Sequence, residues 1–290
     1  MKYQFMEQQR RYHRVEKMAR VLEVSRSGYY AWRTREASKR AQEDEALVAE
    51  ILDIQENVAK YRYGSPRVTK ELRRRGHNVG RKRVARLMRA NGLNARPRKK
   101  FRVTTISGHK HQAAPNVVDR EFRPQRPNQI WASDATYIAT AEGWLYLFVI
   151  IDLHSRRVVG WAMSKSLGTT TLLQALWMAV ARRGAPEGLV FHSDRGVQYA
   201  STRFRNVLRK KRFIQSMSRK GNCWDNACVE SFFKSLKSEL IGTTIYESRE
   251  VAMQAVFEYI EVFYNRIRLH STLDYRSPAE YEEASATQVA

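Results

Sequence analysis

From residue 130 onward the chain alternates two hydrophobic periods, and the order in which they come restricts the fold more than any other feature. IWASDATYIAT (130–140), GWLYLFVIIDLHS (143–155) and RRVVGWAMS (156–164) are rich in β-branched and aromatic residues and are joined by short turns at Gly143 and at Ser155–Arg157. Three such runs in succession predict an antiparallel meander. GTTTLLQALWMAVARRG (168–184) then switches to helical spacing, with Leu172, Leu173, Leu176 and Ala179/Val180 on one face. GLVFHSD (188–194) reads as a short buried strand, 201–212 as a helix behind Ser201, FIQSMS (213–218) as a strand, and ACVESFFKSLKSEL (227–240) as a helix. Strands and helices in this order give an α/β layer fold around a mixed five-stranded sheet.

The first part of the chain is different in kind. Of the 290 residues, 52 are Lys or Arg and 29 are Asp or Glu, a net charge of +23. Residues 1–115 hold 29 bases and 11 acids, a net +18, whereas residues 116–290 hold 23 and 18 and are nearly balanced. A basic excess confined to one part predicts a polyanionic partner, with nucleic acid foremost, bound by the front of the chain. The longest apolar run, Trp144 to Ile151, is far short of the roughly 20 residues that cross a bilayer, so no membrane partner is expected. The polar start lacks a secretory core, and two cysteines, Cys223 and Cys228, make neither a disulfide framework nor a paired zinc motif. A cytoplasmic protein is expected.

Within the basic part, helical spacing places Leu47, Ile51 and Ile54 on one face of residues 44–57. Ser65 is the expected cap and Pro66 the first residue of a second helix, with Val68 and Leu72 inward and Gly76 ending it. RKRVARLMRANG (81–92) follows as a third, with Val84, Leu87 and Met88 inward and Arg81, Lys82, Arg83, Arg86 and Arg89 outward. Three short helices with a basic last one form the helix-turn-helix pattern, which lays its last helix in the major groove. Arg67, on the second helix, is a further candidate contact. A related unit spans residues 13–35, where Ser25 is placed to cap a helix carrying Tyr29, Tyr30 and Trp32, which read first as a small core and second as rings that stack on bases. The expected organisation is a helical segment at 1–40, a helix-turn-helix domain at 41–95, a basic linker at 96–126 with Arg98, Lys99 and Lys100 as DNA contacts, an α/β core at 127–240 and a helical segment at 241–290.

Three acids stand out in the balanced half. Asp134 sits in mid-strand among apolar neighbours, where a charge is costly without compensation. Asp194 falls where the buried fourth strand stops, and ligand sites favour strand ends in α/β sheets. Glu230 lies on the late helix, with Lys234 and Lys237 along the same face at i+4 and i+7. Each alone reads first as structural. Together, two carboxylates from the sheet and one from a helix edge suit a pair of divalent cations, Mg²⁺ or Mn²⁺, the arrangement that serves phosphodiester displacement. Asp152 and Asp225 read as a strand-end and a helix-cap residue. His192 shares a face with Asp194 and reads first as a packed histidine, second as a phosphate contact, and Asn226 as a helix cap.

Asp194 and Glu230 are separated by 35 residues, and Lys237 lies seven beyond Glu230. With these spacings the chain resembles the DDE transposases and retroviral-integrase-like recombinases. VSRSGYYAW (24–32), YGSPRV (63–68), HSDRGVQYAS (192–201), GNCWDNACVESFFKSLKSE (221–239) and YNRIRLHSTLDYRSPAEY (264–281) resemble the OrfB part of bacterial insertion-sequence transposases of the IS3 type. The resemblance covers nearly the whole chain. It implies a ribonuclease-H-like core, dependence on Mg²⁺, and Asp134, Asp194 and Glu230 as catalytic residues and metal ligands, with Lys234 and Lys237 at the DNA end. It also implies terminal inverted repeats and target DNA as partners, a homo-oligomer assembled on DNA in the bacterial nucleoid, and an OrfA product that supplies a coiled coil. No heptad run is present here.

Two other readings compete with strand transfer: a helix-turn-helix regulator with a dead catalytic core, and a nuclease of the ribonuclease H type. The intact triad speaks against the first, and two basic helical modules against the second. Arg266, Arg268, His270 and Tyr275 match the residue types of tyrosine recombinases, but without the helical catalytic domain they belong to a packing or DNA-contacting segment.

Overall fold

The computed structural model describes residues 1–36, 38–93, 95, 113–184, 186–219 and 223–287. It forms two compact units, Met1–Leu52 and Asp53–Ala290. The first unit ends inside a helix, and residues 53–93 fall in the larger unit with the sheet.

The smaller unit contains α1 (Lys2–Gln9), α2 (Val15–Val21), α3 (Arg26–Thr34) and most of α4 (Lys39–Asp53). Ser25 caps α3 as expected, its hydroxyl accepting from the Gly28 amide at 3.2 Å. Met6, Met18, Ala19 and Tyr29 make its core, so Tyr29 packs inward while Tyr30 and Trp32 keep part of their rings in solvent.

In the larger unit the chain leaves α4 through a π-helical turn, Ile54–Val58, and enters α5 (Ser65–Arg74) and α6 (Arg81–Ala90). Gly64, not Ser65, is the N-cap of α5; Ser65 already lies in the first turn, and its carbonyl accepts from the Thr69 hydroxyl. Val68, Leu72, Val84, Leu87 and Met88 are buried as the periodicity required, and Gly76 and Gly92 take the positive φ values that end each helix.

The sheet consists of β1 (Ile130–Thr140), β2 (Gly143–Asp152), β3 (Val158–Ser164), β4 (Val190–Ser193) and β5 (Ile214–Met217) in the order β3-β2-β1-β4-β5. The first three form the antiparallel meander, and β4 and β5 add in parallel. One face carries Trp131, Phe148 and Ile150 against α7 (Thr169–Arg183) and α9 (Thr202–Lys210). Gly160 lets α7 approach β3 so closely that an added Cβ would lie 2.2 Å from the Ala175 carbonyl oxygen. Alternation places Asp134 on the other face, the side of α10 (Ala227–Leu236) and α11 (Arg249–Phe257), both of which contact β1. A short helix, α8 (Val197–Ala200), follows β4, and α12 (Pro278–Thr287) closes the described chain. Among the described residues, no helix is long and apolar enough to cross a membrane.

The C-terminal segment fastens α5 and α12 to the core. The Tyr63 hydroxyl donates to the Ile267 carbonyl and accepts from the Leu269 amide. Glu282 of α12 takes Ser155, Arg157 and Arg183, at 2.7 to 2.9 Å.

Candidate active site

Among the described residues β4 pairs with β1 only from Ile130 to Ser133, and that edge is next met at Thr140 by a bridge to Tyr246, so Asp134 to Ile138 have no strand partner there. Asp134 stands at the first position past the pairing and Asp194 directly follows β4. The two carboxylates are thereby brought to one end of the sheet by parallel neighbouring strands. Asp134 Oδ1 accepts from the Ala135 amide at 2.7 Å, and Asp194 Oδ1 from the Gly196 amide at 2.9 Å. A Cβ on Gly196 would sit 3.0 Å from Asp194 Oδ1, so any larger residue there would press on the carboxylate.

Burial and then the charge of Asp194 push the Asp134 carboxyl well above the usual carboxylate range; Glu230 adds to the rise, and the Ala135 amide and Lys237 oppose it. Glu230 lies on the exposed side of α10, whose Val229, Phe232, Phe233 and Leu236 are buried. Partial desolvation by the surrounding protein raises its carboxyl as well. Among the described residues Asp134 and Glu230 enter no ion pair. Asp134 and Asp194 are thus the nucleus of the site. Glu230 is near enough to act on Asp134 electrostatically, but among the described residues no three acids, histidines or cysteines close into a metal cage.

Lys237 is the first residue after α10, where the helix opens into a π-helical turn, Lys237–Ile241, instead of running on to residue 240. Its ammonium faces the site: burial lowers its pKa and the Asp134 carboxylate opposes that shift. Lys234 is exposed one turn earlier.

His192 is a packed histidine and no phosphate contact. Its Nδ1 is 2.9 Å from Ser216 Oγ and its Nε2 2.8 Å from the Asp225 carbonyl. Ser216 Oγ accepts from Val117 N, which leaves its proton for Nδ1 and makes Nε2 the ring donor. Asp225 does more than cap a helix. It is buried and takes Arg219, Arg120 and Asn116, and Arg219 before all others holds its carboxyl far below the usual range. Asn226 makes no side-chain cap; its amide donates to the Ser133 carbonyl at 3.3 Å, joining the start of α10 to β1 beside Asp134.

On α6, Arg81, Lys82, Arg86 and Arg89 are exposed and Arg83 partly so. Arg67 is the correction. Its Nε donates to the Leu269 carbonyl at 2.8 Å and its guanidinium lies 3.6 Å from Glu239, so its polar head is spent inside the unit. Arg98, Lys99 and Lys100 lie outside the described residues.

Sequence reasoning missed Glu239. It is buried, accepts from Arg268 at 2.7 and 2.8 Å and from the Tyr259 hydroxyl at 2.8 Å, and so joins the turn that follows α10 to the C-terminal segment. The signal was there: Glu239 falls three residues after Leu236 on the inward stripe, where a charge needs a partner.

Family models match in three stretches. They are an integrase core domain over residues 124–223, an HTH-like domain over 41–101 and a second integrase core domain model over 230–285. Transposase InsF for insertion sequence IS3A of Escherichia coli (strain K12) is 42% identical over 97% of this chain and 98% of its own length. The insertion element IS600 uncharacterized 31 kDa protein of Shigella sonnei is 43% identical over 92% of this chain and 97% of its own. Among solved structures, the HTLV-2 integrase catalytic core domain in complex with magnesium is 18% identical. It covers 55% of this chain and 99% of that one, at a TM-score of 0.42. Identity above two residues in five, sustained from end to end of both sequences, means that the chain belongs to the IS3 family of insertion-sequence transposases and carries its integrase catalytic core.

Proposed function

We propose that the protein cuts and joins DNA strands at the ends of its insertion sequence by metal-dependent phosphodiester displacement, with Asp134, Asp194 and Glu230 as the catalytic acids. The observation that carries this reading is the pair Asp134–Asp194, two carboxylates of like charge held at one sheet end, the first driven well above its usual range by burial and by the second. Such a pair fits a hard divalent cation, and an all-oxygen donor set suits Mg²⁺ or Mn²⁺. Bound between the three acids, a pair of such ions would polarise the attacking oxygen and stabilise the leaving one.

The chain's own residues do the rest. The Ala135 and Gly196 amides each fix one oxygen of a catalytic carboxylate and so orient its other oxygen. Lys237 places a cation beside Asp134, where it can hold a phosphate without occupying the ligand positions. Attack by water or by a terminal 3′-hydroxyl then needs no covalent enzyme intermediate. The outward arginines of α6 lie in the major groove of the terminal repeats and bring the scissile phosphate to the acids. The protein works on duplex DNA, repeat ends and target, as an oligomer with an OrfA partner. The assay is incubation of labelled element-end duplex and target plasmid with the protein and Mg²⁺, in which joined products are expected and their absence counts against the reading.

A further inference from the structure

Two large aromatic side chains lie exposed at the carboxylate end of the sheet, and the chemistry of strand joining does not use them. Tyr137 is 37% and Trp144 51% exposed, and their rings meet edge to face with centroids 4.8 Å apart. Alternation puts them on the opposite face of the sheet from Asp134, since Tyr137 pairs with Tyr146 and Ala139 with Trp144. Because β1, among the described residues, has no strand partner on its β4 side between Ser133 and the Thr140–Tyr246 bridge, that face is reached around a gap in the edge. Lys237 does so: its Nζ lies 5.4 Å from the Tyr137 ring centroid while its charge is felt at Asp134. Tyr137 is three residues from Asp134, about 10 Å along a strand. The pair therefore stands roughly three base steps from the acids at about 3.4 Å per step.

The hairpin bearing the pair is held in place. Arg249 Nε donates to the Trp144 carbonyl at 3.2 Å and its Nη2 to the Glu142 carbonyl. The Glu142 carboxylate accepts from the Arg249 amide at 2.9 Å and lies 3.8 Å from its guanidinium, so the one acid of this turn is offset. The Tyr246 carbonyl takes the Ala141 amide on the other side. Exposed aromatic rings on a fixed hairpin, next to a lysine and on a chain of net charge +23, suit a polyanion that also carries flat apolar faces.

We propose that Tyr137 and Trp144 form a stacking platform for unpaired bases of the DNA strand whose phosphates Lys237 holds, so that the end of the duplex is opened a few nucleotides from the reaction centre. The proposal rests on the function proposed above and deepens it. It makes the site selective for ends that fray readily, and it gives Lys237 two duties, phosphate contact and support of the Tyr137 ring.

The test uses the full chain in EDTA, where no chemistry occurs, with a duplex of the element end carrying 2-aminopurine at each of the terminal three positions in turn. Unstacking from the duplex raises the fluorescence of this base, and restacking on a protein ring quenches it. A fluorescence that differs from that of the free duplex is expected at one or two of these positions with the wild type. The difference should be lost in Trp144→Ala and Tyr137→Ala and partly kept in Trp144→Phe. The apparent Kd should rise roughly tenfold in the alanine variants, in line with about 1–3 kcal/mol per stacked base. Trp177→Ala is the matched control. It removes another exposed tryptophan under a lysine, Lys211 Nζ being 5.5 Å from its ring, but Lys211 precedes β5 and so lies at the opposite end of the sheet. Fluorescence and affinity unchanged in both alanine variants overturn the platform, as does an equal loss in Trp177→Ala. Joining by the wild type in Mg²⁺, scored in parallel, separates the two failures: joined products with no platform effect leave the function standing without the platform.

Discussion

The Nε2 of His192 lies 2.8 Å from the main-chain carbonyl oxygen of Asp225, and this bond ties the strand that ends in Asp194 to the turn that launches the Glu230 helix. The strand and the helix each bring an acid, and the imidazole sets the distance between them from behind. His192→Phe keeps a flat ring of similar size but removes both bonds and leaves the Asp225 carbonyl and the Ser216 hydroxyl without this partner. A loss of about 1–3 kcal/mol in unfolding free energy is expected. Strand joining at saturating DNA should fall by more than DNA affinity does, as a urea melt and a joining assay on the same sample will show.

Burial lowers the pKa of His192, and it lowers that of His270 further, Arg268 adding to the effect. Both rings are neutral in the folded and unfolded chain well above pH 6.5. Below it the unfolded chain takes up protons that the folded one refuses, so stability falls as the pH drops from about 6.5. Thermal melts from pH 7.5 to 5.5 should show a falling midpoint, and the slope should flatten in His192→Phe. A flat profile for the wild type would mean that neither ring is held neutral.

Glu239 is the buried joint between the end of the Glu230 helix, Arg268 and Arg67. Glu239→Ala leaves the Arg268 guanidinium uncompensated in the interior and should cost about 3–5 kcal/mol. Its carboxyl lies below the usual range through its bonds with Arg268, despite burial, so its contribution is present above about pH 4.5 and is lost as the pH falls through the folded value. Chemical denaturation of the variant at pH 7 measures the first statement, and an acid titration of the wild type the second.

The outward arginines of α6 should carry sequence recognition. Replacing Arg83 and Arg86 by Ala should cost roughly 1–3 kcal/mol for each base that is no longer read and relax discrimination among end sequences. If the pair touches phosphates only, affinity falls equally on all sequences and the salt slope flattens. Titrations at several salt concentrations on element-end and unrelated duplexes distinguish the two.

The sheet was legible because period-two runs and turn residues agree along residues 130–164, and both ends of β1 and the start of α10 follow the amino-acid pattern, whereas α10 stops four residues short of the expected end and β4 keeps only the middle of its run. Asp134 and Asp194 were legible for the same reason, as charges at positions that a buried strand does not tolerate without purpose. What escaped was set by contacts distant in sequence. Glu239 meets Arg268 and Arg67 only after the C-terminal segment folds back on α5, and Asp225 reads as a cap because Arg120 and Asn116 reach it from 105 and 109 positions away, with Arg219 of its own turn closing over it. Arg67 was misread as a DNA contact because a basic residue on a helix-turn-helix helix looks outward until its partner is known. Tyr137 and Trp144 were hidden inside runs that otherwise build the core.

The central claim is that Asp134, Asp194 and Glu230 act as one metal-dependent centre for strand transfer. The most direct measurement is joining of a 3′-hydroxyl element end to plasmid DNA in Mg²⁺ by the wild type and by Asp134→Asn, Asp194→Asn and Glu230→Gln, with affinity for the same duplex measured alongside. Each substitution removes a ligand charge while keeping the side chain's shape. The account predicts joined products for the wild type, none above background for each variant, and duplex affinity within about twofold of the wild type, a difference of only about 0.4 kcal/mol. Joining near the wild-type level in any one variant would contradict the assignment of that residue to the centre.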